Sequence, residues 1–351
     1  FQDRYGGYWR YSSLIDFCYL VNPFYPSTKL LDEIKANFER LIMQYPSGMK
    51  VNCLLAAKYF GLQKEHVVVG NGAAELIKSL MQSIEGSIGI VIPTFEEYPN
   101  RAKMDNIIPY TPDNKDYLYN CSELIAYYEN KNISAMLLIN PDNPSGNYIK
   151  KSDVLGLVKW ALSKSIKVIV DESFVDFVDI EDNATLLVEE ILGEYPNLVV
   201  LKSISKSFGI PGLRIGILAT QDGKLIEHIR KDVAIWNINS FAEFYLQIFE
   251  KYKGDYEVAL QKFKKVRIQF LDNLRKNKNI RVIPSQANYF LCEILNGYTA
   301  TEFTKTLLDK YNILIKDLSH KKGFSGEYVR IAVKKPEENE KIVDAINTVL
   351  I

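Results

Sequence analysis

Leu198-Val199-Val200-Leu201-Lys202-Ser203-Ile204-Ser205-Lys206-Ser207-Phe208-Gly209-Ile210-Pro211-Gly212-Leu213-Arg214 opens with four apolar residues and runs into a loop rich in hydroxyls and cations. The apolar run has the length of a buried strand. Lys206 sits among serines, and Arg214 follows eight residues later. A lysine amine can join a carbonyl carbon as a Schiff base. Ser203, Ser205 and Arg214 suit an anion beside it, because a guanidinium offers phosphate two parallel donors. A small molecule carrying an aldehyde and a phosphate would use both halves of the stretch. A solvated Ser/Lys loop has the same composition, so the rest of the chain must discriminate.

The chain has 351 residues, 47% of them apolar, enough for a sizeable core and about two domains. Lys+Arg and Asp+Glu balance at 43 each, which argues against a polyanion or a membrane surface as partner. Cys18, Cys53, Cys121 and Cys292 are scattered without a CxxC, as expected of reduced thiols in a cytoplasmic protein. His66, His228 and His320 are far apart, which argues against a zinc site or a Ser-His-Asp triad. No apolar run approaches the ~18 residues of a membrane span. The first residue is Phe1 rather than Met, as in a piece of a longer protein.

Residues 1–28 are aromatic and irregular, suited to cover a cleft or to pack on a neighbour. Residues 29–44 and 52–60 read as helices. Strands are predicted at 67–69, 88–92, 135–139, 168–170, 198–201 and 215–219, with helices at 76–83 and 151–163. Chemically marked segments follow several of these strands. Gly70-Asn71-Gly72-Ala73-Ala74 opens a helix, where free N–H groups receive phosphate. Phe95 could stack on a flat ring. Asn140-Pro141-Asp142-Asn143-Pro144-Ser145-Gly146 is a loop stiffened by two prolines. Asp171-Glu172 places an acid beside a buried strand, where it needs a cationic partner. In a doubly wound sheet this edge is where ligands bind. From 222 onward the pattern changes to helices at 224–235, 241–276, 301–310 and 336–350, with short strands at 280–283, 289–292, 313–315 and 328–333. The expected fold is α/β: a large domain (46–235) with a mostly parallel sheet sandwiched by helices, and a smaller α+β domain built from both chain ends (1–45 and 236–351).

These segments resemble fold-type I pyridoxal-phosphate enzymes of the class I/II aminotransferase superfamily, over nearly the whole chain. Residues 140–146 are similar to its N-P-x-N-P-[ST]-G motif, Asp171-Glu172 to its cofactor aspartate, and 203–214 to its lysine motif. Within the superfamily the chain is similar to histidinol-phosphate aminotransferases and threonine-phosphate decarboxylases. The resemblance implies pyridoxal 5′-phosphate as cofactor, with Lys206 as its Schiff-base lysine and proton shuttle and Asp171 paired with the pyridinium nitrogen. It implies Asn143 on the ring hydroxyl, Phe95 stacked on the ring, and the Ala73 and Ala74 amides, Ser203, Ser205 and Arg214 around the phosphate. It implies a homodimer in which Tyr45 reaches the partner subunit's cofactor. Asn22, Asn288, Lys316 and Arg330 are the implied substrate positions, Arg330 gripping a carboxylate and Lys316 a second acidic group. Similar modules also follow a nucleotidylyltransferase in longer chains, which makes such a fused domain an expected neighbour.

Two positions depart from the pattern. Phe174 stands where many aminotransferases have a tyrosine bonded to the ring hydroxyl. Tyr5 stands where the decarboxylase branch often has a histidine. The preferred expectation is an aminotransferase acting on a small amino acid or a phosphorylated or phosphonate amine, with a keto acid as partner. A decarboxylase of a phosphorylated amino acid is the alternative. A cofactor-binding protein without turnover would more naturally lack Lys206 or Asp171, and a nucleotide-binding protein would carry a Walker lysine or a G-x-G-x-x-G spacing.

Overall fold

The structure is a computed structural model and describes residues 6–351, so Tyr5 lies outside the described residues. The first strand, β1 (Ile15–Asp16), belongs with the far end of the chain. The strands β2 (Val67–Asn71), β3 (Ile88–Val91), β4 (Ile107–Tyr110), β5 (Ala135–Ile139), β6 (Lys167–Asp171), β7 (Leu198–Ser203) and β8 (Ile215–Ala219) form a seven-stranded sheet in the order β2-β8-β7-β6-β5-β3-β4. All neighbours are parallel except β8, which is antiparallel to both β7 and β2. Two reversals restore direction, so β2 runs with the parallel set. The carboxyl ends of β2 to β7 and the amino end of β8 therefore meet at one edge, and Arg214 arrives there from the other side of its strand.

Every residue of β5, β7 and β8 is buried, as strands covered on both faces must be. Alternation divides them. Met136, Leu138, Val168, Val170 and Val200 join one core with helices Met49–Phe60 and Lys151–Ser163. Ala135, Leu137, Ile169, Val199 and Leu201 join another with helices Ala73–Gln82 and Gly223–Asp232. Each such Val, Leu, Ile or Met side chain contributes about 1.5–3 kcal/mol by leaving water.

The second domain is an antiparallel sheet, β12-β13-β10-β9, formed by β9 (Ile280–Val282), β10 (Tyr289–Ile294), β12 (Lys316–Asp317) and β13 (Tyr328–Ala332). Helices Lys253–Leu274, Ala300–Tyr311 and Pro336–Val349 supply Phe270, Phe303 and Ile342 to its core. The N-terminal segment supplies Phe17 and Leu20 to the same core, and β1 pairs in parallel with β11 (Ile313–Leu314). No described helix is long and apolar enough to cross a membrane.

The expected division after residue 235 differs from the packing. Leu30, Leu41, Ala242 and Tyr245 are buried in the core of the large sheet, and the small core takes over within helix Lys253–Leu274, from Phe263 onward. The helix expected at 29–44 is interrupted at Asn37. The pattern at 241–276, expected to break near Lys253-Gly254, is broken just before it by a 3₁₀ turn, Phe249–Tyr252.

Candidate active site

A cavity opens at the edge where the strand ends meet. Eight of the expected cofactor residues line it: Ala73, Ala74, Phe95, Asn143, Asp171, Ser203, Lys206 and Arg214. Ile77, Ile139, Ser173 and Phe174 complete the wall. Ser205 is buried and is not part of the wall. Tyr45 is not part of it: its ring is exposed and stacks on Trp236, with centroids 4.4 Å apart.

The loop between antiparallel β7 and β8 carries the lysine. It is anchored by Asp176, which accepts from Lys202 Nζ and Ser207 Oγ at 2.5 Å each. Ser207 is thereby committed to the scaffold. Ser205 Oγ is buried with no hydrogen-bond partner among the described residues, and Ser203 faces the cavity. Burial lowers the proton affinity of Lys206, bringing its pKa to about 8; Arg330 and Arg214 push the same way and Asp171 opposes them. An amine with this value is partly neutral near pH 7, and the neutral form is the nucleophile.

Asp171 closes β6 with its carboxylate held at both oxygens. Tyr98 Oη donates to Oδ2 at 2.8 Å, and the Ser173 N–H donates to Oδ1 at 2.9 Å. Burial raises its pKa, while the Ser173 and Tyr98 hydrogen bonds and nearby Lys206 lower it. A cationic group facing this carboxylate would meet a preset, oriented partner. The Tyr98 bond spans 73 residues of sequence and is not among the expected site contacts, although Tyr98 lies three residues beyond Phe95.

Gly72 ends the turn before helix Ala73–Gln82 with φ +72° and ψ 167°, a region open essentially to glycine alone. A Cβ there would lie 2.4 Å from the Arg214 guanidinium. Gly72→Ala is therefore expected to destabilise the fold by about 1–3 kcal/mol and to displace Arg214 from the helix amides. Thermal melts, and titration of the apoprotein with pyridoxal phosphate showing at least about tenfold weaker binding, the loss of one charge-assisted contact, would check both parts.

Substrate candidates approach from the second domain. Arg330 Nη1 donates to Asn143 Oδ1 at 2.7 Å, which leaves the Asn143 amide hydrogens for a ligand. Lys316 and Arg330 are directly opposite across β12 and β13, so their side chains share a face of the small sheet. Asn22 Nδ2 and both side-chain amide atoms of Asn288 are buried without a partner among the described residues. The Asn22 N–H donates to the Lys206 carbonyl at 2.8 Å, tying that segment to the lysine loop.

Buried polar atoms left unpaired are costly, and Ser205, Asn22 and Asn288 are the expected site residues that carry such atoms. The donors divide by chemistry. Helix amides, Ser203, Ser205 and Arg214 suit a phosphate, Asp171 suits a ring cation, and Lys206 suits an aldehyde. These residues fit pyridoxal phosphate.

The fold and this donor set define a fold-type I pyridoxal-phosphate enzyme. Residues 25–346 match the model of the family "Aminotransferase class I and II", and the chain belongs to that family. It is 32% identical over 348 residues to the L-serine phosphate decarboxylase of Sulfurospirillum multivorans, covering 96% of this chain and 88% of that one. It superposes on the crystal structure of L-threonine-O-3-phosphate decarboxylase from Porphyromonas gingivalis with a TM-score of 0.83, at 25% identity and 96% and 99% coverage. It is also 28% identical to the CMP-5′-(3-aminopropyl)phosphonate synthase of Streptomyces rubellomurinus, matching 98% of this chain but only 54% of that longer protein.

These relatives correct the expectation of an aminotransferase: a decarboxylase, a lyase rather than a transferase, is the better-supported activity. The physical reason is that Lys206, Asp171 and the phosphate-holding groups serve both reactions equally. They identify the cofactor and do not discriminate which bond is broken.

Proposed function

We propose that this protein is a pyridoxal-phosphate-dependent decarboxylase of a phosphorylated amino acid, converting O-phospho-L-serine or O-phospho-L-threonine to carbon dioxide and the phosphorylated amine. The observation that carries this reading, beside the relatives, is the cross-strand pair Lys316 and Arg330: two cations on one face for a substrate with two acidic groups.

In this reading the Ala73 and Ala74 amides, Ser203, Ser205 and Arg214 hold the cofactor phosphate, Phe95 covers one face of the ring, and Asn143 donates to the ring hydroxyl. When bound, pyridoxal phosphate supplies a conjugated ring that accepts the electron pair released at the amine-bearing carbon. Asp171 holds a proton at the ring nitrogen. Lys206 would hold the cofactor at its aldehyde, and its amine would carry the proton that replaces carbon dioxide at the substrate carbon. Arg330 orients the carboxylate, Lys316 faces the phosphate, and Asn22 and Asn288 bind the polar atoms between them.

Incubating the purified holoenzyme with O-phospho-L-serine or O-phospho-L-threonine and following carbon dioxide, phosphorylated amine and the cofactor spectrum tests this. Equal amounts of gas and amine, with the cofactor spectrum recovered, are expected. Pyridoxamine phosphate accumulating without gas would overturn the proposal.

We infer that the active form is a homodimer in which Tyr45 contributes to the partner's site. Phe38, Ile42, Met43 and Tyr45 are exposed apolar side chains on one stretch, with exposed Trp236 stacked against Tyr45. An exposed patch of this kind marks an interaction surface. Ile42→Asp is expected to shift the protein to monomer in analytical ultracentrifugation with helix content unchanged; a sedimentation profile matching the parent dimer would count against this surface.

A further inference from the structure

Lys321 lies in the loop joining β12 to β13 and belongs to none of the expected substrate positions. Its side chain is only 14% exposed, and its ammonium donates to Glu96, whose carboxylate is half exposed. The loop folds back through bonds from the Lys321 N–H to the Leu318 carbonyl and from the Phe324 N–H to the Lys321 carbonyl. Gly323 (φ +96°) then lies so close to the other domain that a Cβ would sit 2.9 Å from the Pro93 nitrogen. This contact places Lys321 on the segment 93–96, which carries Phe95 in the cavity wall.

The charges around Lys321 are uneven. Burial, Arg330 and Lys316 all disfavour its ammonium form, and Glu96 supports it. Lys321 in turn stabilises the carboxylate of Asp142, the neighbour of Asn143. Arg330 itself donates to a neutral amide oxygen and lies over the Tyr289 ring. Arg330 and Lys321, both largely out of water, thus approach from β13 and the loop before it, with exposed Lys316 opposite Arg330 on β12, and the carboxylate that pairs with Lys321 sits at the surface. Clustered cations are costly away from water unless an anion joins them. A phosphorylated amino acid brings about three negative charges, nearly two on phosphate and one on carboxylate.

We propose that Lys321 is a substrate-binding residue that exchanges Glu96 for the substrate's phosphate, completing with Lys316 and Arg330 a three-cation subsite. This assignment rests on the phosphorylated-substrate reading above. Arg330 takes the carboxylate, Lys316 and Lys321 share the phosphate, and the loop that carries Lys321 closes the cavity between the two domains.

The test uses the holoenzyme and the variants Lys321→Met and Glu96→Gln. Binding of O-phospho-L-serine, O-phosphoethanolamine and L-serine is titrated calorimetrically, and carbon dioxide release is measured separately. Lys321→Met should weaken both phosphorylated ligands by about 10- to 100-fold, the worth of a charge-assisted bond, and leave L-serine unchanged. Glu96→Gln, which removes the competing carboxylate, should bind the phosphorylated ligands at least as tightly as the parent. Equal affinity in Lys321→Met and parent would overturn the proposal, and so would equal weakening in both variants, the signature of a structural clasp. Should the parent bind O-phospho-L-serine without releasing carbon dioxide, the decarboxylase reading fails and Lys321 is still judged by the affinity ratio. A parent that binds neither phosphorylated ligand overturns both.

Discussion

Lys206→Ala is expected to lower carbon dioxide release from O-phospho-L-serine by at least about 10³-fold, because in the proposed reaction the residue both anchors the cofactor and handles the proton, and general acid–base roles alone contribute 10²–10⁴. The variant should still bind pyridoxal phosphate through the helix amides, Ser203, Ser205 and Arg214, but borohydride should no longer fix the cofactor to the chain. The sign of the pH dependence follows from the environment of the parent lysine. Burial and two arginines lower its pKa to about 8. Its amine is mostly protonated below that value and mostly neutral above it. Capture of added cofactor by the apoprotein should therefore accelerate as pH rises through about 8 and then level off. A variant that kept parental turnover, or an apoprotein whose capture rate fell over the same range, would remove Lys206 from its assigned role.

Asp171→Asn is expected to cost about 10²–10³ in turnover, the usual loss when a preset electrostatic partner is removed from a dry site. The amide oxygen can still accept from the Ser173 N–H, now at 2.9 Å, and the amide NH2 can donate to the Tyr98 hydroxyl in place of the bond Tyr98 now donates at 2.8 Å, so the fold should survive. What disappears is the negative charge proposed to hold a proton on the ring nitrogen. Tyr98→Phe should cost far less, since it removes one donor and keeps the charge. Steady-state rates and circular dichroism on both variants would check the order; equal losses would mean that orientation of Asp171, rather than its charge, carries the effect.

Much of the large domain was legible because its signals are local. Residues 135–139, 215–219 and 151–163 were read with the bounds the structure gives them, as apolar runs closed by proline, glycine or helix-capping positions. β4 was not legible: it is an edge strand, none of whose residues is fully buried, with a proline inside it. β1 is two residues long and exists only through its partner at the other end of the chain. Helix Cys121–Tyr128 was missed although Asn120 and Glu123 form a capping box, a signal visible in sequence. In the site, residues at strand ends were legible, since the sheet gathers them at one edge. The Tyr98–Asp171 bond and the approach of Lys321 to segment 93–96 depend on how separate elements meet. The choice between transamination and decarboxylation was illegible because the motifs that hold the cofactor serve both reactions; the relatives favour decarboxylation.

The N-terminal segment turns the cofactor's colour into a reporter of chain assembly. Phe17 bonds the backbone at Leu314 and Ala332, and five residues on the Asn22 N–H reaches the Lys206 carbonyl. Two fragments made by cutting a loop in the middle of the chain would each inherit one side of that fastening. Their reunion would be seen as returning yellow, with no fused fluorophore required, because the lysine proposed to take up the pigment is tied directly to the seam.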